Sequence, residues 1–228
     1  MLNLMKLEMR KYRFRGNIIG GFIAIVIITA FMILMSIDSA DQAVGNYEEA
    51  FKVADILASV TFTIFGAVLL SKLIIDEFKS KSITVLFMYP IQRQKLLVAK
   101  LAIVVLFTFA FGVMTRVLTV SGFYLFNHFA QFIPNDLSQI SWMEQSIKIL
   151  INSVMTSFIA LIPLFFGMRK HSTVTTIVSA IFIGALLNSN AGSDFTLSSI
   201  VFVPLLLAAL GIAIAYLSIR NIDDKDIV

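Results

Sequence analysis

No cysteine occurs among the 228 residues, which removes disulfides, thiolate metal sites and cysteine nucleophiles from consideration. Charge is also scarce: Asp, Glu, Lys and Arg make up 14% of the chain, against about 25% in a soluble domain. The two histidines, His128 and His171, stand alone and outside any HExxH pattern, so a zinc protease has no ligand set. None of the eleven glycines is followed by lysine, whereas the phosphate loop of an ATPase ends in Gly-Lys. A serine intramembrane protease would pair a serine with a histidine, yet Ser121 and His171 fall near opposite faces of the membrane in the layout derived below. Glu48-Glu49 lies in an outer loop with no arginine in the motif of a glutamate-type membrane protease. The expectation is a protein that is no enzyme, with no catalytic, cofactor or metal site of its own.

What is present is oil. Hydrophobic residues are 58% of the chain and the mean hydropathy is +0.91, above the roughly 45–50% apolar content of soluble domains. This composition describes an integral membrane protein. A helical span needs about 20 apolar residues, so the length accommodates roughly six spans, with no space for an ordinary soluble domain. The fold expected is all-α: a single transmembrane domain over 1–228.

Residues 1–16 carry Lys6, Arg10, Lys11, Arg13 and Arg15 among apolar residues. Wound as a helix, they place Leu2, Met5 and Met9 on one face, as in an amphipathic helix lying on the membrane surface; an unstructured basic flank is the plainer alternative. A nucleic-acid arm is not expected, because so short a segment tethered to a span samples little DNA. Spans are expected at about 17–37, 56–75, 97–120, 149–168, 172–187 and 195–218. The first is too long for the roughly 7–15 residue core of a cleaved signal peptide. Five acids, Asp38, Asp41, Glu48, Glu49 and Asp55, fall between the first two spans against Lys52 alone, and this loop is expected outside. Pro163 in the fourth span and Pro204 in the sixth each remove a backbone donor, which commonly kinks a helix. With both termini inside, fifteen of the 18 Lys and Arg residues lie on inner segments and only Lys52 and Lys148 on outer ones, as the positive-inside rule asks.

The longest polar-bearing segment between apolar runs is 76–96, with Lys72 just before it and Lys100 just after. It reads Glu77, Ser82, Leu86, Pro90, Arg93 and then Lys100-Leu101, and the apolar run Val85 to Met88 precedes Tyr89. This order resembles the loop between spans two and three in permeases of the type 2 ABC exporter family, which reads Glu, Gly-Thr or Gly-Ser, two apolar residues, Pro, a small residue, Arg, then Gly-Lys-Leu. Lys81, Gln92 and Ala99 depart from it. The resemblance implies a coupling helix formed by this segment, with Glu77, Leu86, Phe87, Met88, Tyr89, Pro90 and Arg93 contacting a separate ATP-binding cassette subunit. It also implies a second permease copy, identical or related, ATP-Mg held on the partner rather than here, and a bacterial cytoplasmic membrane with surrounding lipid. The chain looks most like permeases for toxin-like and bacteriocin-type peptides, phenol-soluble modulin exporters and lantibiotic or bacitracin immunity systems included. Export of amphipathic peptides, for secretion or self-immunity, is therefore the expected function. An exporter of drugs or lipids, a non-ABC channel or ion-coupled carrier, and a non-transporting immunity protein are the alternatives.

Arg116 is the one ionisable residue left inside an expected span. It either snorkels to headgroups or faces the pathway or a neighbouring subunit; with no acid placed in another span, snorkelling is the simpler expectation. The 21 phenylalanines are spread over every span rather than set in one box, and Gly20-Gly21, Gly66 and Gly112 are expected to permit close helix approach.

Overall fold

The computed structural model describes residues 2–12, 15–37, 47–79, 93–130, 142–188 and 202–220, and all regular structure among them is helical. In order these are α1 (Leu2–Lys11), α2 (Arg15–Ile37), α3 (Tyr47–Leu70), a π-helical turn (Ser71–Ile75), α4 (Asp76–Lys79), α5 (Arg93–Ala130), α6 (Trp142–Ile159), α7 (Pro163–Lys170), α8 (Thr173–Leu187) and α9 (Phe202–Arg220). Among the described residues five segments are long and apolar enough to cross a membrane: Arg15–Met35, Glu49–Ile75, Gln94–His128, Met143–Lys170 and Phe202–Arg220. The expected fifth span of six is the 15-residue α8. At 1.5 Å per residue it is about 22 Å long, short of an approximately 30 Å hydrocarbon core, so on length and composition alone it is not among the five.

Two spans outrun their expected bounds. Residues 47–55, expected in a loop, open α3 instead, because Glu, Ala, Phe and Lys all sustain a helix and Asp55 finds a partner. α5 runs through 38 residues without a proline, about 57 Å. It forms the centre of the bundle, packing against α1, α2, α3 and α6. Helices α2 and α9 lie at the periphery: Val26, Ile27 and Leu34 on one and Phe202, Leu205 and Tyr216 on the other are exposed, as helices apolar on every side are when lipid surrounds them.

The main core joins α3, the π-turn, α5 and α7 through Phe62, Leu69, Leu70, Leu73, Ile74, Val104, Phe107 and Leu164. Within it the aromatic rings are gathered rather than scattered. Phe107 and Phe111 stack at 4.4 Å between centroids, Phe62 lies 6.1 Å from Phe111, Phe65 6.3 Å from Phe107, and Phe22 meets Phe111 edge-on at 5.5 Å. Gly20 and Gly21 of α2 leave the space these rings fill: a Cβ at Gly20 would lie 3.3 Å from Phe65, and one at Gly21 2.4 Å from Phe111.

α1 turns a different face to the bundle from the one expected. Met5 and Tyr12 pack against the core and Glu8 is buried, while Leu7 and Met9 are exposed. The spacing of Met5, Glu8 and Tyr12 still marks one helical face, but an acid and a phenol sit in it. The site they build is the reason.

Candidate functional site

Lys100, on α5, is the centre of a buried ionic junction at the α1 end of the bundle. In the π-turn the Asp76 N–H reaches back to Ser71 O, a wider loop than the α-helical i→i+4 bond, and such turns disturb the ladder around them. The carbonyl of Leu73 accepts a bond from Lys100 Nζ at 2.8 Å. The same ammonium pairs with Glu77 of α4, lies 3.7 Å from Glu8 Oε2 of α1, and stands 5.8 Å from the Tyr12 ring centroid. Tyr12 donates its hydroxyl to Glu77 Oε1. Lys100, Glu77 and Glu8 are 2%, 5% and 6% exposed, and charges so placed persist only where they are paired and hydrogen-bonded. Burial first, and then the bond to Glu77, push the Tyr12 phenol above its usual range, so it remains a donor. Two carboxylates share one ammonium, and Glu8 Oε2 accepts no hydrogen bond.

The consequence is topological. α4 and α5 are the two ends of the segment 80–92, and Lys100 with Glu77 ties those ends to each other and to α1. Of the residues expected to couple to an ATPase, Leu86, Phe87, Met88, Tyr89 and Pro90 lie outside the described residues; Arg93 is the first residue of α5. Glu77 turns its carboxylate into the chain. The motif takes in Glu77 and Lys100 but neither Glu8 nor Tyr12. The signal available was an acid buried in a basic amphipathic segment.

A second polar cluster lies farther along α5. Arg116 is 16 residues beyond Lys100, about 24 Å along the helix, and it does not snorkel: the residue is 2% exposed. Its Nε donates to Asp55 Oδ1 at 2.5 Å, Nη1 to Ser153 Oγ at 3.1 Å and Gly112 O at 3.3 Å, and Nη2 to Thr156 Oγ1 at 3.3 Å. Asn152 Nδ2 donates to the other Asp55 oxygen at 2.9 Å. The acid missing from the expected spans is thus Asp55, brought inside by the early start of α3. Helices α3, α5 and α6 are held together there by one network. Gly112 lets it form, since a Cβ at that position would stand 3.3 Å from Arg116 Nη1.

Among the described residues no group of three or more His, Asp or Glu side chains is placed to hold a metal ion. What the arrangement does is fix helices to one another at two levels, one of them where α4 and α5 flank residues 80–92.

The family model described as ABC-2 family transporter protein matches residues 4–188. An uncharacterized protein of Bacillus subtilis (strain 168), YcbO, is 40% identical over 228 residues, covering 99% of this chain and all of the relative. No solved structure matches.

Proposed function

The chain belongs to the ABC-2 family of transporter proteins, and from that premise we propose that it is the membrane-spanning permease subunit of an ATP-driven exporter in a bacterial cytoplasmic membrane, both termini on the cytoplasmic side. Two permease chains act with two separate ATP-binding subunits, which hold ATP and Mg2+. The observation that carries this reading is the Lys100 junction. In it α1, α4 and α5 converge at the base of the segment 80–92, where Lys100 joins Glu77, the Leu73 carbonyl and Glu8.

In this reading Leu86, Phe87, Met88, Tyr89 and Pro90 enter a groove of the ATPase subunit, with Arg93 at its rim. Glu77 works from behind the contact. A displacement of the docked segment pulls on Glu77 and Lys100 together and so reaches the π-turn, α5 and α1 in one step. A looser loop would absorb the same displacement.

The cargo is an amphipathic molecule, most simply a peptide exported for secretion or self-protection. Asp55 and Arg116 neutralise each other inside α3 and α5, so that pair offers no free charge to a small ionic substrate. Large apolar side chains, Phe22, Phe31, Phe165, Phe166 and Phe182 among them, are exposed on the described helices, and a partly apolar cargo can reach such a surface from the lipid.

The test has two stages. A tagged permease purified from its host should bring down an ATP-binding subunit, and Phe87→Asp, which places a charge in the docking groove, should release that subunit while the permease still inserts. Deleting the permease should then change the amphipathic peptides found in the medium or the resistance to added ones. If drug or lipid export changes and neither peptide measure does, the cargo is misassigned.

A further inference from the structure

α7 is an eight-residue rod with a joint at each end. At its start Pro163 lacks an N–H, and the ladder arriving from α6 tightens into i→i+3 bonds. Leu161 N to Phe158 O, Ile162 N to Ile159 O and Leu164 N to Leu161 O are each 3.0 Å. Such bonds have poorer geometry than α-helical ones, and breaks of this kind are where helices bend. At its end His171 takes φ 47 and ψ 37, the one non-glycine residue with positive φ among the described residues. Ser172 then restarts the chain as α8 by accepting a bond from Thr175 N at 3.4 Å.

Two glycines bring neighbouring helices close to the first joint. Gly66 of α3 faces it, where a Cβ would come within 2.7 Å of Ala160 Cβ, and Gly211 of α9 lies where a Cβ would stand 2.1 Å from the Phe158 carbonyl oxygen. At Gly211 the approach is to backbone itself, while at Gly66 the Ala160 and Thr108 side chains close the contact, and Ile159 and Ile162 pack with Leu187 and Ala208. Immediately before the joint, Asn152, Ser153 and Thr156 of α6 are all bonded into the Asp55–Arg116 network. Beyond it, Gly167 of α7 rests on Ile75 of the π-turn and on Thr176 of α8, and Lys100 grips that same π-turn through Leu73 O.

We propose that α7 pivots between Ala160–Ile162 and His171 while α6 stays clasped to α3 and α5, so that a shift of the π-turn is passed through Ile75 and Gly167 into movement of α7. This rests on the coupling reading above for its source of motion, though not for the existence of the hinge. α5, continuous past both clusters, is the fixed rod. α7 is the element that moves against it.

Pro163→Ala tests this directly, since it supplies the N–H through which α6 could continue into α7 as one helix. The variant is expected to be at least as heat-stable as the native chain, yet to lower ATP turnover of the purified complex in nanodiscs roughly tenfold. Pro204→Ala, in the first turn of α9 where proline is tolerated, should leave turnover unchanged. A second measurement needs no ATPase. Nitroxide labels on the cysteine-free chain at Phe166→Cys and Leu106→Cys, both exposed positions on α7 and α5, should give a broad distance distribution that Pro163→Ala narrows. Labels at Ile151→Cys and Val117→Cys, exposed on α6 and α5, should give a narrow one in both. Equally narrow distributions in the native chain, or native turnover by Pro163→Ala, would overturn the hinge. Failure of any ATPase to accompany the native chain would instead sink the coupling reading, leaving the label distances to decide the hinge.

Discussion

Arg116 and Asp55 meet across α5 and α3 with 2.5 Å between Nε and Oδ1, a contact that joins positions 61 residues apart. The arginine side chain is 2% exposed and the aspartate side chain 33%. Arg116→Met leaves the carboxylate with Asn152 as its remaining donor in the network, and is expected to cost about 3 kcal/mol. That is the low end of the roughly 3–5 kcal/mol for breaking a buried pair, because Asp55 keeps some access to solvent. Arg116→Met with Asp55→Asn removes both charges and leaves an amide beside Asn152, so most of the loss should return. Thermal unfolding in nanodiscs measures both; losses that simply add would show that the two residues do not act as a pair.

Gly211 sets a sharper limit. A Cβ at this position would lie 2.1 Å from a backbone carbonyl oxygen, and backbone moves only with its helix. Gly211→Ala is therefore expected to destabilise by about 3 kcal/mol, the upper part of the overpacking range. Gly16, near the start of α2, has nothing within 4 Å of such a Cβ, and Gly16→Ala should be neutral or stabilising by up to about 1 kcal/mol. Equal melting temperatures for the two variants would show that α9 does not approach α6 as described.

The Lys100 junction makes a prediction about order of loss. Lys100→Met strands Glu77 and Glu8 without their ammonium and should reduce the folded protein in the membrane, since an unpaired buried charge costs about 3–5 kcal/mol. Glu77→Gln keeps an acceptor for Tyr12 and a contact for Lys100, so it should insert normally and show its effect in ATPase turnover. Membrane abundance and turnover, measured side by side, separate the two. If Glu77→Gln lowers abundance as much as Lys100→Met, the junction is a stability device alone.

Much of this was legible from the residues. The apolar runs located the five helices long enough to cross, the motif passes through Glu77 and Lys100, and Pro163 marked the break in the fourth span. The Asp55–Arg116 pair was hidden for a physical reason. A run of acids between two apolar stretches reads as a loop, because hydropathy prices each charge as though it faced lipid, whereas a paired charge inside a bundle does not. The phenylalanine stack and the close approaches at Gly66 and Gly211 depend on which helices neighbour one another, and spacing along one helix does not carry that. Nothing in Ser71–Ile75 announces a π-turn; it exists where Lys100 supplies a donor to Leu73 O.

The number of crossings turns on α8. At about 22 Å it is short of an approximately 30 Å core, yet mismatch costs only fractions of a kcal/mol per Å and is met by local thinning of the bilayer. Arg169 and Lys170 just before it favour an inner location for that end. The charge distribution therefore predicts that α8 crosses, and single cysteines in the cysteine-free chain decide it. With six crossings, Ala43→Cys, Gln131→Cys and Gly192→Cys react with an impermeant thiol reagent in intact cells, while Ser82→Cys, Ser172→Cys and Lys225→Cys react only after permeabilisation. If α8 stays on one side, Gly192→Cys becomes protected together with Ser172→Cys, and Lys225→Cys becomes reactive from outside because α9 then runs the other way. Reaction of Ser82→Cys in intact cells would be more damaging than either pattern, since it would place the Lys100 junction on the face away from ATP.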